Sequence, residues 1–192
     1  MIKFQGLGHI SLNVEDVDVA AEYYCDLFGA KKLQKFPHFK NLGCAKSAGF
    51  LNKPEVVNVS IVFLEIPGTP VNLELCCYHS PLGLQEIKHY KTNDLGGPRH
   101  ICLRVADIDK AFDSLKGKEV TFINQSPEYK AFKIDEIKPS EFYFYDESLE
   151  NNTEEKQKVC DIIGNIRYFY FIDKYGIQWE FEQGHDDIGS EH

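Results

Sequence analysis

The sequence predicts an α+β protein built from two tandem β-α-β-β-β modules, and three observations predict it. One stretch of the 192-residue chain occurs twice: Gly8–Ala20 (GHISLNVEDVDVA) and Arg99–Ala111 (RHICLRVADIDKA) share seven positions at one offset. They are His9/His100, Ile10/Ile101, Leu12/Leu103, Val14/Val105, Asp16/Asp107, Asp18/Asp109 and Ala20/Ala111. Identities at a fixed offset mark an internal repeat, so each copy opens an equivalent unit. Each copy also switches from a period of two to helical spacing, and each is followed by apolar runs separated by turn residues.

The elements follow in order. His9, Ser11 and Asn13 alternate with Ile10, Leu12 and Val14. His100, Cys102 and Arg104 alternate in the same way with Ile101, Leu103 and Val105. Each run therefore reads as a strand with an aliphatic face and a histidine-bearing face. Asp16 and Asp107 then suit helix N-caps, since a carboxylate accepts from the unpaired amides of the first turn. Val17, Ala20, Tyr24 and Leu27 recur at helical spacing, as do Ile108, Ala111, Phe112 and Leu115, and Gly29 and Gly117 fit the left-handed helix end. Lys31–Phe36 and Gly43–Phe50 read as weaker strands. Val56–Ile66 and Val71–Tyr78 read as strong ones, joined by Pro67-Gly68-Thr69-Pro70. In the second module Val120–Ile123 and Glu141–Tyr145 are expected strands, and Tyr168–Ile172 and Ile177–Glu182 a closing hairpin across Asp173-Lys174-Tyr175-Gly176. The predicted boundaries are 1–78 for the first module, 79–98 for a polar connector, 99–184 for the second module and 185–192 for a tail. The second module carries a surplus at about 124–165. Its core, DESLENNTEEKQKVCD, is acidic and poor in large apolar residues, which predicts a solvated loop or charged surface helix, with a flap over a site as the alternative.

Composition narrows the function classes. A net charge of −9 argues against nucleic acid or an anionic membrane as the main partner. No apolar run approaches the roughly 18 residues that span a bilayer, and the opening MIKFQGLGHI runs straight into the first strand, unlike a signal peptide. The six cysteines form no C-x-x-C pair, and the adjacent Cys76 and Cys77 point to opposite faces of a strand. Free thiols and a cytoplasmic location are the expectation.

Four polar residues do not fit a plain core. Glu74 sits in NLELC opposite Leu73 and Leu75, and Glu180 in QWEFE opposite Trp179 and Phe181. Each lies in the last strand of its module, as His9 and His100 lie in the first. If each sheet curls around a concave face, the four share one cup. Two imidazoles and two carboxylates suit one borderline or hard divalent ion, and they leave open positions for water or substrate. Zn, Ni, Co, Mn and Fe all fit. His38, His79, His89, His185 and His192 carry no expected role. Cys102, between His100 and Arg104, reads as a small filler or a redox-sensitive spot beside the metal.

The duplicated H-I-x-L-x-V-x-D-[VI]-D-x-A opening, the L-E-L strand and the closing D-K-Y-G-I-Q-W-E-F resemble the glyoxalase I / bleomycin-resistance / extradiol dioxygenase superfamily, the vicinal oxygen chelate fold. The resemblance covers about 1–78 and 97–184. The His9, Glu74, His100, Glu180 set is similar to that of bacterial glyoxalase I, the lactoylglutathione lyase. Methylmalonyl-CoA epimerases usually have Gln at the Glu74 position, and extradiol dioxygenases and fosfomycin-resistance enzymes use only His-His-Glu. The resemblance implies a metal-dependent isomerase or lyase on a small substrate with vicinal oxygens. An enediolate intermediate follows from it, with Glu180 or Glu74 moving the proton. The alternatives are a His-His-Glu dioxygenase or transferase, and a metal-free binding protein of the bleomycin-resistance kind. Glyoxalase I proteins commonly carry an Arg four residues after the first His, where this chain has Asn13. Its repeat equivalent, Arg104, is an expected anchor for a carboxylate or phosphate, or else is paired with a surface carboxylate. Glutathione dependence is therefore not expected, and modules pairing across a homodimer are as open as pairing within one chain.

Overall fold

The structure is a computed structural model that describes residues 2–3, 6–88 and 90–184. The tail 185–192 and His89 lie outside the described residues. The chain divides into two compact units, Met1–Glu86 and Ile87–His192.

In the first unit, strand β1 (Ile10–Asn13) leads into helix α1 (Val17–Phe28), then β2 (Lys31–Phe39), a short helix α2 (Leu42–Ser47), β3 (Asn58–Glu65) and β4 (Asn72–Ser80). The sheet order is β1-β4-β3-β2, with β1 parallel to β4 and the other pairs antiparallel. Asp16 caps α1 by accepting from the amides of Asp18 at 2.8 Å and Val19 at 3.1 Å. Gly29 ends it in the left-handed region at φ 66°. The face of α1 that carries Val17, Ala20 and Tyr24 is buried with Leu12, Leu64, Leu73 and Leu75. Each large aliphatic or aromatic side chain fully removed from water there contributes about 1.5–3 kcal/mol before chain entropy is counted.

The second unit repeats this plan with β5 (Ile101–Arg104), α3 (Ile108–Leu115), β6 (Val120–Phe122), β7 (Phe132–Lys133), β8 (Arg167–Asp173) and β9 (Gln178–Gln183). The order is β5-β9-β8-β6, and β7 also pairs with β8. Phe112 of α3 stacks on Phe122 at 4.4 Å and meets Phe169 edge-on at 4.9 Å. The β8–β9 turn is held by Asp173, which is 3% exposed. Its carboxylate accepts from the amides of Tyr175 (2.9 Å) and Ile177 (3.0 Å) and from the indole of Trp179 (2.8 Å). The Asp and Gly of the predicted turn thus have separate jobs, the Gly supplying φ 80°.

Two expected strands are absent. Gly43–Phe50 contains α2 instead, because the Asn41 side chain caps it through the Cys44 amide at 2.9 Å. Glu141–Tyr145 follows a 3-10 turn at Pro139–Glu141, and side chains meet its backbone groups: Glu150 accepts from the Phe144 amide and Lys156 donates to the Phe142 carbonyl. Conversely β2 runs on to Phe39 through Pro37 and His38. The break in register there puts His38 at φ 50° and sends its amide to the Ser60 hydroxyl, a detour an edge strand tolerates. The acidic surplus holds two helices, α4 (Glu147–Glu150) and α5 (Thr153–Ile163), of which only Cys160 is buried. All six cysteines are free thiols. Among the described residues no helix is long and apolar enough to cross a membrane.

Candidate metal centre

Each unit brings its expected histidine and glutamate together. In the first, β1 lies parallel to β4 with Ser11 beside Glu74. His9, two residues before Ser11, therefore comes to the same face, and its Nε2 lies 3.3 Å from Glu74 Oε2. In the second, Cys102 lies beside Glu180, and His100 Nε2 stands 3.0 Å from Glu180 Oε2. Both carboxylates are mostly removed from water, with side chains 18% and 11% exposed, while both imidazoles reach solvent.

The donor chemistry fits a divalent ion. Neighbouring ligands on an ion with bonds of about 2.1 Å stand about 3.0 Å apart at right angles and about 3.4 Å apart in a tetrahedron. Each imidazole–carboxylate pair falls in that interval. Each unit thus presents one imidazole–carboxylate pair, and its carboxylate supplies part of the charge a dication needs.

The cross-strand neighbours of the two glutamates differ. Glu74 faces Phe63 across β3–β4, and Glu180 faces Tyr170 across β8–β9. The Tyr170 phenol hydrogen-bonds Glu180. Burial first, and that bond to a carboxylate second, hold the phenol far above the ordinary tyrosine range. The imidazoles also meet these rings: His100 lies 5.2 Å from Tyr170, and His9 6.0 Å from Phe63.

One step further along each sheet, Asn13 lies beside Cys76 and Arg104 beside Glu182. Arg104 Nε is 3.6 Å from Glu182 Oε1, so the expected anion anchor already has a buried carboxylate against it. Asn13 is exposed and forms no such pair. Cys102, Glu180 and Glu182 place one ligand atom each within 4.8 Å of one another. Although Cys102 as a residue reaches solvent, its thiol is pushed up to about 12, by desolvation first and by Glu180 and Glu182 next. It therefore stays protonated at neutral pH, and the filler reading fits it better than that of a reactive thiolate.

Sequence reasoning missed Phe63, Tyr170 and Glu182. The signal was present, because each strand pair is joined by a turn whose residues had been read. Counting outward from Pro67–Pro70 sets Phe63 opposite Glu74; in the second hairpin Asp173 itself pairs with Ile177, so the turn is one residue shorter than Asp173–Gly176 and the register moves Tyr170 from Trp179 to Glu180.

The comparisons agree with this architecture. The family model of the Glyoxalase/Bleomycin resistance protein/Dioxygenase superfamily matches residues 6–148. Human mitochondrial methylmalonyl-CoA epimerase is 28% identical over 121 residues, which are 62% of this chain; the match spans 57% of that protein's length. A glyoxalase family protein from Bacillus cereus has a similar structure, with TM-score 0.63, 15% identity and 95% of each chain covered. A glyoxylase/bleomycin resistance protein/dioxygenase domain from Frankia sp. EAN1pec gives TM-score 0.54 at 14% identity, covering 99% of this chain and 98% of that one. At such identities the structural likeness shows the fold alone.

Proposed function

Because this chain belongs to the Glyoxalase/Bleomycin resistance protein/Dioxygenase superfamily, we propose that it is a metal-dependent isomerase or lyase acting on a small substrate with vicinal oxygens, through an enediolate. The observation that carries the reading is the repeated imidazole–carboxylate pair, at 3.3 Å in one unit and 3.0 Å in the other. His9, Glu74, His100 and Glu180 together hold one divalent ion, and members of the superfamily typically bind one. Bound there, the ion supplies Lewis-acid stabilisation of the negative charge that develops on substrate oxygen. The chain's own residues do the rest. The imidazoles and carboxylates orient the substrate oxygens, and a carboxylate takes the proton from one carbon and returns it to the next. Arg104, oriented by Glu182, and Asn13 are the residues that meet the rest of the substrate. A full set of two carboxylates favours this reading over a His-His-Glu dioxygenase or transferase, in which Glu74 has no task.

The epimerase similarity favours a second form of the same chemistry, in which the proton leaves and re-enters at one carbon of a thioester. Glu74, where such enzymes usually have Gln, speaks against it. One experiment addresses both. Co²⁺-loaded protein in D₂O is given methylmalonyl-CoA or, separately, the preformed hemithioacetal of methylglyoxal and glutathione, and deuterium is followed at the acidic carbon. Metal-dependent exchange is expected, and poor turnover of the glutathione adduct follows from Asn13. Absence of exchange with both probes, in protein that holds its metal, overturns the proposal.

A further inference from the structure

We infer that the first unit carries a second metal site, separate from the candidate centre, in which Cys77, His79 and His38 hold an ion of the Zn²⁺ class. The three residues meet because β3 is bordered by two irregular ladders. On one side Phe36 pairs with Ile61 and Phe39 with Val59, so Pro37 and His38 together stand against the single residue Ser60. On the other side Val59 pairs with Tyr78 and Asn58 with Ser80, which leaves His79 as the extra residue of β4. Each ladder thus gains a residue beside the same short stretch of β3, and a histidine stands at both places. Bulges re-aim side chains, and His38 holds φ 50° to make its own, a conformation that costs a residue with a Cβ. Buried Ser60 joins the two. Its hydroxyl oxygen accepts from the His38 amide at 3.2 Å and lies 2.8 Å from His79 Nε2. The two imidazole rings meet at 4.5 Å, and Cys77 Sγ, from the residue paired with Ser60, is 4.0 Å from His79 Nδ1. Cys77 shares its face of β4 with Leu73 and Leu75, so the group lies on the side of the sheet away from Glu74.

Bonds from zinc of about 2.0 Å to nitrogen and about 2.3 Å to sulfur set those two ligand atoms about 3.6 Å apart in a tetrahedron. The Cys77–His79 pair stands close to that spacing. With Nδ1 given to the ion, His79 keeps its proton on Nε2 and donates it to Ser60, an outer partner of the kind that fixes a ligand's tautomer. The Cys77 thiol, which donates to the Glu15 carbonyl at 3.0 Å, gives its proton to water and binds as the thiolate. His38 joins them by a turn of its exposed side chain, and water takes the fourth position. Bound there, the ion ties β2 to β4 across β3. One thiolate and two imidazoles select Zn²⁺ or Co²⁺ over hard cations, and Mn²⁺ is a poor fit.

The test uses Co²⁺ alone as probe, on the full chain, because a thiolate ligand gives Co²⁺ a near-ultraviolet charge-transfer band that imidazoles and carboxylates do not. The double variant His9→Ala/His100→Ala, which disables the candidate centre, is expected to bind one Co²⁺ with that band, and Zn²⁺ should bleach it. In that background Cys77→Ser should abolish the band, and His79→Gln and His38→Ala should each weaken Co²⁺. Ser60→Ala should cost about 10–100-fold in affinity, as loss of an outer partner does. His38 is exposed on an edge strand, so its variant keeps the test open if a change at buried Cys77 prevents folding. Absence of the band in the double variant, its survival in Cys77→Ser, or an unchanged affinity in His38→Ala overturns the inference. The candidate centre is read separately, from Co²⁺ that the parent protein binds without a thiolate band, so its failure leaves this site standing.

Discussion

The two sheets carry the same aliphatic pattern toward their helices and different chemistry on the opposite face. Toward α1 and α3 the first strands repeat Leu12/Leu103 and Val14/Val105, and β4 and β9 both bury the residues that flank their glutamates. On the other face, Ser11, Asn13, Ile61, Phe63 and Cys76 in the first unit occupy the register positions of Cys102, Arg104, Tyr168, Tyr170 and Glu182 in the second. Only the histidine and glutamate are common to both. Packing constrains one face of a repeated sheet by volume and polarity, and a one-methylene change is felt there. The other face repeats only the imidazole–carboxylate pair of each unit. Elsewhere it is available for division of labour, and the second unit has taken the hydrogen-bonding share.

The closing turns of the two units differ in the same sense, and this difference should give the largest stability effect. The second turn hangs on the buried Asp173, whose carboxylate serves two amides and an indole. Asp173→Ala leaves three donors without that acceptor, one of them inside the core, and should cost about 3 kcal/mol or more in urea unfolding. The first turn hangs on the half-buried Thr69 hydroxyl, which donates to the Ile66 carbonyl at 2.9 Å and accepts from the Val71 amide at 3.1 Å. Thr69→Ala should cost about 1 kcal/mol. Comparable losses in the two variants would show that the turns are equivalent after all.

A smaller effect separates the two helix caps. Both carboxyls are held below the ordinary 3.8, Asp16 chiefly by the backbone amides of Val19 and Asp18, Asp107 chiefly by the Lys110 side chain. A depressed carboxyl contributes stability that is present above its unfolded value and lost as pH falls through the folded one. Each cap should therefore fail below about pH 4. Salt screens the exposed Lys110 pair and leaves an amide bond alone. The drop in Tm caused by Asp107→Ala at pH 7 should therefore shrink in 1 M NaCl, while that caused by Asp16→Ala should persist. An equal response of the two variants to salt would contradict the assignment of causes.

Much of this was legible in the sequence, because periodicity reports local constraint. The repeat, both Asp caps, both closing turns and the faces of Glu74 and Glu180 are all set by residues near in sequence. What misled was weak local signal without a partner. Gly43–Phe50 is captured by the Asn41 cap, and Glu141–Tyr145 is satisfied by Glu150 and Lys156 from α4 and α5. Tyr170 was passed over because its role depends on register across a hairpin, which alternation within one strand does not reveal. Arg104 was read as an anion anchor from its face alone, and Glu182, one strand away, changes its charge balance.

Whether both units contribute an imidazole to one ion, as proposed, is decided by electron–nuclear double resonance. The protein is labelled with ¹⁵N at histidine and loaded with one equivalent of Mn²⁺. Two coordinated imidazole nitrogens are predicted in the parent protein, one in His9→Ala and one in His100→Ala, with no ion retained in the double variant. A single nitrogen in the parent protein, or two that survive in the double variant, would contradict it.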